Sequence, residues 1–238
     1  RLFMTAEAEA GHLASLTMTN AAVAALAHAP DIVGEWLPKI RSRQYDSSAR
    51  AIQDKKGVTI GVALAEKQGG SDLLATVTRA EDVGDGSWRI TGHKWFLSAP
   101  MSDAFVTLAR TREGVSCFLV PRILPGGGRN RIRLMRLKDK LGNRSSATAE
   151  AEIDGATGWL IGELGRGLAA IQDMQTLIRL DCTVVSAGLI RIALAEAVHH
   201  ARYREAFGEV LLEQPLMNRV IADMALDAVA AAALAFRL

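Results

Sequence analysis

The sequence predicts a multidomain α+β fold with a helical N-terminal part, a central antiparallel β domain and the start of a C-terminal helical bundle. Both ends are rich in alanine and carry apolar residues at helical spacing. Between Val58 and about Ile153 the apolar residues follow a period of two instead, and the helical period returns after Gly165-Arg-Gly167. We therefore expect three parts, at residues 1–56, 57–156 and 157–238.

Composition narrows the class of protein. The 238 residues suffice for one large or two small domains with a sizeable core. The 28 Lys and Arg exceed the 26 Asp and Glu by only two charges, which by itself does not indicate a nucleic-acid partner. Cys117 and Cys182 both lie in apolar runs, which predicts buried, reduced thiols and a cytoplasmic protein. The spacing of Cys and His indicates no metal site, and no stretch predicts a signal peptide or a membrane span.

The N-terminal part is predicted to be helical over residues 1–29, with a break near Gly11 and a restart at Ser15 or Thr17. A short helix over Ile32–Ile40 should follow Pro30 and Asp31, and a polar linker over residues 53–57 marks the change of pattern. Both ends of the sequence lack helix-terminating signals, so we expect a piece of a longer chain.

The central part predicts several short strands joined by turns. The expected strands are Leu74–Glu81, a return strand from Trp88 after a turn at Asp85-Gly86, a hairpin of Ala104–Arg110 with Val115–Val120, then Ile132–Leu134 and Ala147–Ile153. The C-terminal part predicts a long helix over Leu168–Ala201 and a second helix after Pro215.

Two stretches of the β domain have the chemistry of a binding site. Leu64-Ala-Glu-Lys-Gln-Gly-Gly-Ser-Asp72 follows an apolar strand, and its two glycines let backbone approach a bound group closely. His93-Lys-Trp-Phe-Leu-Ser98 adds two aromatics and a hydroxyl. Together they suit a planar cofactor, although a strand–loop–strand of any β domain fits the same residues.

Four ordered motifs carry a resemblance over nearly the whole chain. They are Glu66-Lys-Gln-Gly-Gly-Ser-Asp72, Lys94-Trp-Phe-Leu-Ser98, Gly142-Asn-Arg-Ser-Ser-Ala-Thr148 and Arg204-Glu-Ala-Phe-Gly208. In this order and spacing they resemble the acyl-CoA dehydrogenase family, in which the last motif is expected in a long helix. The exact residues of these motifs, together with Arg179-Leu-Asp-Cys182 and Gln214-Pro-Leu-Met217, are similar to those of the AidB branch of the family. That branch is linked to alkylation damage.

The resemblance implies FAD, bound between the β domain and the helices, and an assignment for each matching residue. The segment from Val62 to Ser71 would line the flavin, with the backbone of Leu64, Ala65 and Glu66 near its pyrimidine side and Ser71 near the pyrophosphate. Phe96 would stack at the isoalloxazine, Ser98 would hydrogen-bond near N5, and Leu97 belongs to the same cofactor segment. Such donors tune the electron affinity of a flavin.

Other implied residues serve a neighbouring subunit. Arg204 would meet the pyrophosphate of that subunit's FAD by charge, Phe207 would stack near its adenine half, and Gln214 would join them. The resemblance thus implies a homo-oligomer, typically a tetramer built as a dimer of dimers. One departure stands out: the family's usual threonine before the glutamate is Ala65 here, which predicts weaker or retuned FAD binding.

The catalytic base is unknown from the sequence. Family members abstract a substrate α-proton with a carboxylate, either from a late helix, which would lie beyond Leu238, or from the residue before an arginine in the long helix. Here that arginine resembles Arg179, and the preceding residue, Ile178, has no proton chemistry. Arg179 and Asp181 are candidates for the substrate cavity, and a structural ion pair or cap is the alternative.

The basic run of the β domain favours a solvated sheet face over a nucleic-acid surface, because no aromatics interleave it; it comprises Arg129, Arg131, Arg133, Arg136, Lys138, Lys140 and Arg144. Binding of double-stranded DNA in the AidB branch is attributed to the C-terminal region, most of it beyond Leu238.

His93 is interpreted as a strand-packing residue close to the flavin, and Trp95 and Trp159 as core or interface residues.

The resemblance implies an FAD-containing, AidB-like protein with weak oxidation of isovaleryl-type acyl-CoA and protection of DNA from alkylation. In enzymatic terms it would be an oxidoreductase acting on a CH–CH bond, by α-proton abstraction and hydride transfer to flavin N5. The alternatives are an ordinary acyl-CoA dehydrogenase with its base on a missing helix, a nitroalkane-oxidising flavoenzyme, or a non-enzymatic, flavin-bearing, DNA-associated protein.

Overall fold

The structure is a computed structural model that describes residues 1–237. Its helices are α1 (Leu2–Ala8), α2 (Leu13–Leu26), α3 (Pro30–Ile40), α4 (Gly167–Tyr203) and α5 (Pro215–Arg237). Its strands are β1 (Ile60–Ala63), β2 (Arg79–Asp82), β3 (Trp88–Ser98), β4 (Ala104–Arg110), β5 (Val115–Pro121), β6 (Ile132–Leu137), β7 (Thr148–Ile161), β8 (Glu205–Ala206) and β9 (Glu209–Val210). The predicted helix–sheet–helix order is confirmed.

The chain divides into two compact units. One comprises residues 14–178, and the other joins Arg1–Leu13 to the chain from Arg179 onward. The first unit therefore holds α2, α3 and the whole seven-stranded sheet. The predicted boundary at residue 156 lies inside β7, which continues to Ile161 and pairs there with Cys117 of β5.

The sheet has the strand order β1-β3-β2-β4-β5-β7-β6. Additional β1–β4 and β3–β7 pairings join strands that are not neighbours in that order, so the sheet folds back on itself. Most pairings are antiparallel, as predicted, but β4 lies parallel to both β1 and β2. The turn-rich sequence did not reveal these parallel pairings, because they join strands that are distant along the chain.

One predicted strand is largely wrong. Leu74–Glu81 was expected to be extended, but Leu73–Ala75 form a 3₁₀ turn and β2 begins only at Arg79. The side chain of Asp72 accepts the backbone N–H of Leu74 at 3.0 Å and so starts the turn. Residues 75–78 alternate between apolar and polar and so have the period of a strand, but a local side-chain cap determines the backbone here.

The main core of the first unit lies between helices and one face of the sheet. Small residues of α2, among them Ala22 and Ala25, are fully buried and allow the helix to approach the sheet closely. Trp36 of α3 and Met174 of α4 join the same cluster. Cys117 is buried there, and burial raises the pKa of its thiol to about 12.

Two further predictions need correction. Cys182 lies on an exposed side of α4 and is not buried as predicted. Both thiols are free. Helix α2 begins at Leu13, earlier than the predicted restart at Ser15 or Thr17. The Glu9 carboxylate accepts the backbone N–H groups of Gly11 at 2.6 Å and His12 at 3.0 Å, which shapes the short connection between α1 and α2.

In the other unit, α1 packs on α4. Arg191 forms an ion pair with Glu7 at 2.9 Å, and a Cβ on Gly188 would come within 2.5 Å of the Phe3 carbonyl oxygen. Gly188 therefore permits the close crossing. Within residues 1–237, no helix combines the length and hydropathy needed to cross a membrane. The same residues contain no group of three or more His, Cys, Asp or Glu arranged to hold a metal ion.

Candidate functional site

The two predicted binding stretches lie side by side in the sheet. Strand β1 pairs antiparallel with the end of β3, with Val62 opposite Ser98 and Ala63 opposite Leu97. The backbone N–H of Trp95 donates to the Ala65 carbonyl at 2.9 Å and extends the pairing beyond β1. Residues separated by about thirty positions in the sequence thus form one continuous surface.

A β-bulge in β3 determines which side chains face outward. Lys94 lies opposite Ala151 and Leu97 lies opposite Ala149, so β3 has one extra residue between these pairs. As a result both Lys94 and Leu97 turn inward and are fully buried, whereas Phe96 is 42% exposed. Strict alternation would have turned Phe96 inward with Lys94, so the bulge is what makes this ring available to a ligand.

The predicted cofactor residues therefore differ in what they can offer. Leu97 packs in a small core with Ala63 and Phe105, so only its backbone can face a ligand. Val62 and Leu64 are half-buried and pack against the main core. Ser98 is half-buried beside the exposed Phe96.

Glu66 is the centre of a buried hydrogen-bond network. Its side chain is 2% exposed, and its carboxylate accepts the Lys94 ammonium at 2.8 Å. It also accepts the backbone N–H of Val77 at 2.7 Å and of Thr78 at 3.1 Å. The hydroxyls of Thr76 and Thr78 and the Gln68 side-chain amide, at 2.6 Å, also donate to it. The carboxylate thus fastens the 76–78 segment to the strand that carries Lys94.

Burial and the contacts of this network shift the pKa of both Glu66 and Lys94. Burial alone would raise the pKa of Glu66, but hydrogen bonds from Lys94 and the 76–78 segment outweigh burial and hold this pKa well below its ordinary value. Burial lowers the pKa of Lys94, opposed by the Glu66 charge. The Lys94 ammonium also donates to the Leu108 carbonyl at 2.9 Å. From the sequence, only the backbone of Glu66 was assigned a function. The missed signal is that Glu66 and Lys94 carry opposite charges and each lies close along the chain to apolar strand residues that are buried.

The glycine turn that follows is tight. Glu66 N–H donates to the Gly69 carbonyl at 2.8 Å, and Gly69 N–H donates back at 3.1 Å. A Cβ at Gly70 would come within 2.8 Å of the Ala65 Cβ, so only glycine fits there. The turn lies against Ala65, the position of the missing hydroxyl, and leaves Ser71 exposed at its end.

An aromatic and cationic cluster adjoins Phe96. The Lys138 ammonium lies 3.1 Å from the Trp95 ring centroid and 4.9 Å from that of Phe96. Lys138 and Arg136 both donate to Glu150, at 2.6 Å and 2.8 Å, and these hydrogen bonds lower the pKa of Glu150 to about 2. Part of the predicted solvated basic run is therefore ion-paired and packed on aromatics from β3, a neighbour that the sequence did not reveal.

His93 lies at the edge of this cluster. Its Nδ1 is 2.8 Å from Glu152 Oε1, across the β3–β7 pairing, and its ring centroid lies 6.0 Å from that of Trp95. His93, which is predicted to pack on the strand, therefore has a specific partner in the Glu152 carboxylate.

The Arg204 motif was expected within a long helix, and that is wrong. Helix α4 ends at Tyr203, and β8 and β9 form a hairpin whose turn is Phe207-Gly208. Both turn residues have positive φ, 56° and 84°, the backbone of a two-residue hairpin. Phe207 is fully exposed at the tip. The Gln214 amide donates to the Ala206 carbonyl at 2.8 Å and so supports the hairpin from its base.

The substrate-cavity candidates lie in the middle of α4. Ile178 packs against the core of residues 14–178. Arg179 is exposed and Asp181 is half-buried. The position at which the resemblance implies a base in one type of family member is thus occupied by an aliphatic side chain that packs against the core.

Comparison with known proteins assigns the chain to a family. The model of the acyl-CoA dehydrogenase middle domain matches residues 61–156, and that of the C-terminal domain matches residues 165–238. The N-terminal domain of the adaptive response protein AidB matches residues 1–47. The Escherichia coli AidB protein is 47% identical over 239 residues, which cover 100% of this chain and 44% of that protein. The chain belongs to the acyl-CoA dehydrogenase family, in its AidB-like branch.

Other relatives of the family agree. Acyl-CoA dehydrogenase family member 11 of Caenorhabditis elegans is 34% identical over 189 residues, which cover 75% of this chain and 31% of that protein. The crystal structure of C. elegans ACDH-11 in complex with C11-CoA matches with a TM-score of 0.84 and 31% identity, over 95% of this chain and 40% of that one. The resemblance read from the motifs is confirmed. The chain spans less than half of the length of these relatives.

Membership of the acyl-CoA dehydrogenase family has a chemical consequence. The family is in general FAD-dependent, and the surface formed by β1, the glycine turn and the end of β3 lies within the residues that match its middle domain. The middle-domain match begins at Gly61 and therefore includes both binding stretches.

Proposed function

We propose that this chain is the flavin-binding part of an FAD-containing protein of the AidB type, which oxidises isovaleryl-type acyl-CoA weakly and protects DNA from alkylation. The observation that carries the proposal is the adjacency of the Val62–Glu66 backbone and the Trp95–Ser98 segment, with Phe96 turned outward by the bulge. The family membership and the acyl-CoA ligand of the C. elegans relative support it.

The residues present fit such a cofactor. Phe96 offers an exposed aromatic face, and Ser98 next to it has a half-buried hydroxyl. A Cβ on residue 70 would collide with the Cβ of Ala65, so Gly70 keeps the space beside Ala65 open. Leu64 and Ala65 would hold the pyrimidine side through backbone groups, and the exposed Ser71 would meet the pyrophosphate.

Bound FAD supplies an acceptor for a hydride from the substrate β-carbon. The residues of this chain would orient that acceptor and keep water away from one face. Phe96 would pack on the ring system, and the Ser98 hydroxyl would donate near N5. The Glu66–Lys94 pair holds the supporting backbone, because it ties the 76–78 segment to β3 at Lys94, immediately before the bulge.

The hairpin after α4 supports a multimeric arrangement. Arg204 and Phe207 are exposed, and Phe207 stands at the tip of a two-residue turn. We propose that they reach the FAD of a neighbouring copy in a homotetramer. Gln214 would act by supporting the hairpin through Ala206. The proposed compartment is the cytoplasm, consistent with two free cysteines.

Ile178 favours a second candidate, a flavin-bearing, DNA-associated protein without dehydrogenase activity. An aliphatic residue at this position cannot abstract a proton, and in an ordinary acyl-CoA dehydrogenase a carboxylate from another helix would have to do so. Arg179 and Asp181 remain proposed cavity residues on α4.

The deciding experiment uses the full-length protein loaded with FAD. Its absorption spectrum is recorded with and without isovaleryl-CoA under anaerobic conditions, and its retention on duplex DNA is measured across a salt series. Slow loss of the oxidised flavin band together with salt-sensitive DNA retention supports the AidB-type proposal. Rapid bleaching without DNA retention supports the ordinary dehydrogenase instead. DNA retention without bleaching supports the non-enzymatic candidate.

A further inference from the structure

A cleft opens where strands β2 and β4 separate, within residues 14–178. The two strands pair at a single position, Arg79 with Arg110. Beyond it β2 continues to Asp82, whereas the chain after Arg110 turns away into β5. The cleft measures about 800 Å³ and is lined by Arg79, Ala80, Glu81, Asp82, Val83, Gly84, Trp88, Arg110, Thr111, Arg112, Glu113 and Leu164. That volume is typical of a small-molecule site.

Three arginines line this cleft. Arg79 and Arg110 occupy directly paired positions on neighbouring strands, and Arg112 follows on the turn. Within the described part of the chain, none of the three forms an ion pair with a carboxylate. Like charges at paired positions repel each other. An anion bound between them would remove that repulsion.

The Arg110 guanidinium is held in place from behind. Its Nε donates to the Thr76 carbonyl at 3.2 Å, and its Nη2 donates to the Leu74 carbonyl. A fixed guanidinium loses less conformational entropy when it binds an oxyanion, and its planar group suits carboxylate and phosphate geometry. Arg110 is therefore a prepared donor, and Arg79 and Arg112 are exposed partners on either side.

The remaining lining residues are compatible with such a ligand. The lining also includes three acidic residues: Asp82 accepts the Gly84 N–H at 2.8 Å, Glu81 lies opposite Arg89 on β3, and the exposed Glu113 follows Arg112 on the turn, where its side chain can turn to solvent. Trp88 gives the cleft an apolar wall, steadied by Phe118 at a ring distance of 5.5 Å. The ligand would thus combine an oxyanion with an apolar or planar portion.

We propose that this cleft binds a small ligand through a doubly charged oxyanion, a phosphate or a pair of carboxylates, held by Arg79, Arg110 and Arg112. The lining residues include none of those proposed to hold FAD. The cleft is therefore a second site of the β domain, distinct from the surface proposed for FAD.

The test is isothermal titration calorimetry on the full-length protein, with FAD present at saturation so that its own phosphate site is filled. Inorganic pyrophosphate and citrate are titrated separately at constant ionic strength. Arg79→Gln and Arg112→Gln each remove one donor, and Arg43→Gln removes one exposed charge outside the cleft as the matched control. Circular dichroism confirms that each variant is folded.

We expect saturable binding of at least one probe, a rise in Kd of about tenfold or more in each cleft variant, and no change in Arg43→Gln. Preference for pyrophosphate assigns a phosphorylated ligand, and preference for citrate assigns a carboxylate. The proposal is overturned by the absence of saturable heat up to about 10 mM of both probes, or by equal affinity in wild type and both cleft variants. If a cleft variant does not fold, the shift of the Trp88 indole N–H signal on titration of the wild type gives the same decision.

Discussion

Replacing Lys94 with methionine tests whether the buried Glu66 network holds the candidate site together. The substitution keeps an unbranched side chain of similar length and removes only the ammonium. The Glu66 carboxylate, 2% exposed, would then lie next to an apolar side chain. The Leu108 carbonyl would also lose the donor that now lies 2.9 Å away.

The size of the effect follows from what remains around Glu66. Removing one partner of a buried ion pair costs about 3–5 kcal/mol of unfolding free energy. The hydroxyls of Thr76 and Thr78, the Gln68 amide and two backbone N–H groups still donate to the carboxylate, so the lower end applies, about 3 kcal/mol. For a unit of this size that corresponds to a drop in melting temperature of about 6–12 °C.

The assay is urea denaturation at pH 7, followed by far-ultraviolet circular dichroism. Lys56→Met, at an exposed position, is the matched control and should change the unfolding free energy by less than about 0.5 kcal/mol. The double variant Lys94→Met with Glu66→Gln should recover part of the loss, because no buried charge is left. Equal stability of Lys94→Met and Lys56→Met, or a double variant whose loss equals the sum of the single losses, would refute the reasoning.

Three further predictions concern other parts of the molecule. Glu150 has its pKa lowered from 4.5 to about 2, so it stabilises the folded state above pH 4.5 and that contribution is lost as pH falls towards 2; Glu150→Gln should flatten the stability profile in this range, measured by urea denaturation, and an unchanged slope contradicts this. Ala65→Thr should tighten FAD binding by about two- to tenfold in a fluorescence titration because it adds one hydroxyl donor, whereas the equally shaped Ala65→Val should not, and equal gains in both would disprove the hydroxyl's role. Phe207→Gly should not lower the unfolding free energy, because Phe207 is fully exposed with φ of 56°, yet it should reduce assembly in light scattering; intact assembly would count against the hairpin's role.

Much of the architecture could be predicted from the sequence. The hairpin of Ala104–Arg110 with Val115–Val120 and the short helix over Ile32–Ile40 follow from local pattern and turn chemistry. Both are present, the strand extended to Pro121 and the helix beginning already at Pro30. The prediction failed at residues 74–78, where Asp72 and Glu66 hold the backbone through side-chain hydrogen bonds. It failed again at Phe207, where the helical period gives way to a hairpin turn with positive φ.

The candidate site was predicted in its parts, and its geometry was not. Phe96 and Ser98 were assigned by resemblance, but strand alternation gives no sign of the bulge that exposes Phe96. The cleft at Arg79 and Arg110 was missed altogether. These residues are thirty-one positions apart, and only the parallel pairing of β2 with β4 brings them together.

The sequence by itself determined the helix–sheet–helix order, the family and the two stretches that face each other across β1 and β3. It could do so because periodicity, turns and motif order are properties of residues close together along the chain. The tertiary structure alone decided that Glu66 is buried with Lys94, that Phe96 turns outward and that two arginines share a cleft. Strand register and burial depend on contacts between distant segments, and the charge state and exposure of each side chain follow from those contacts.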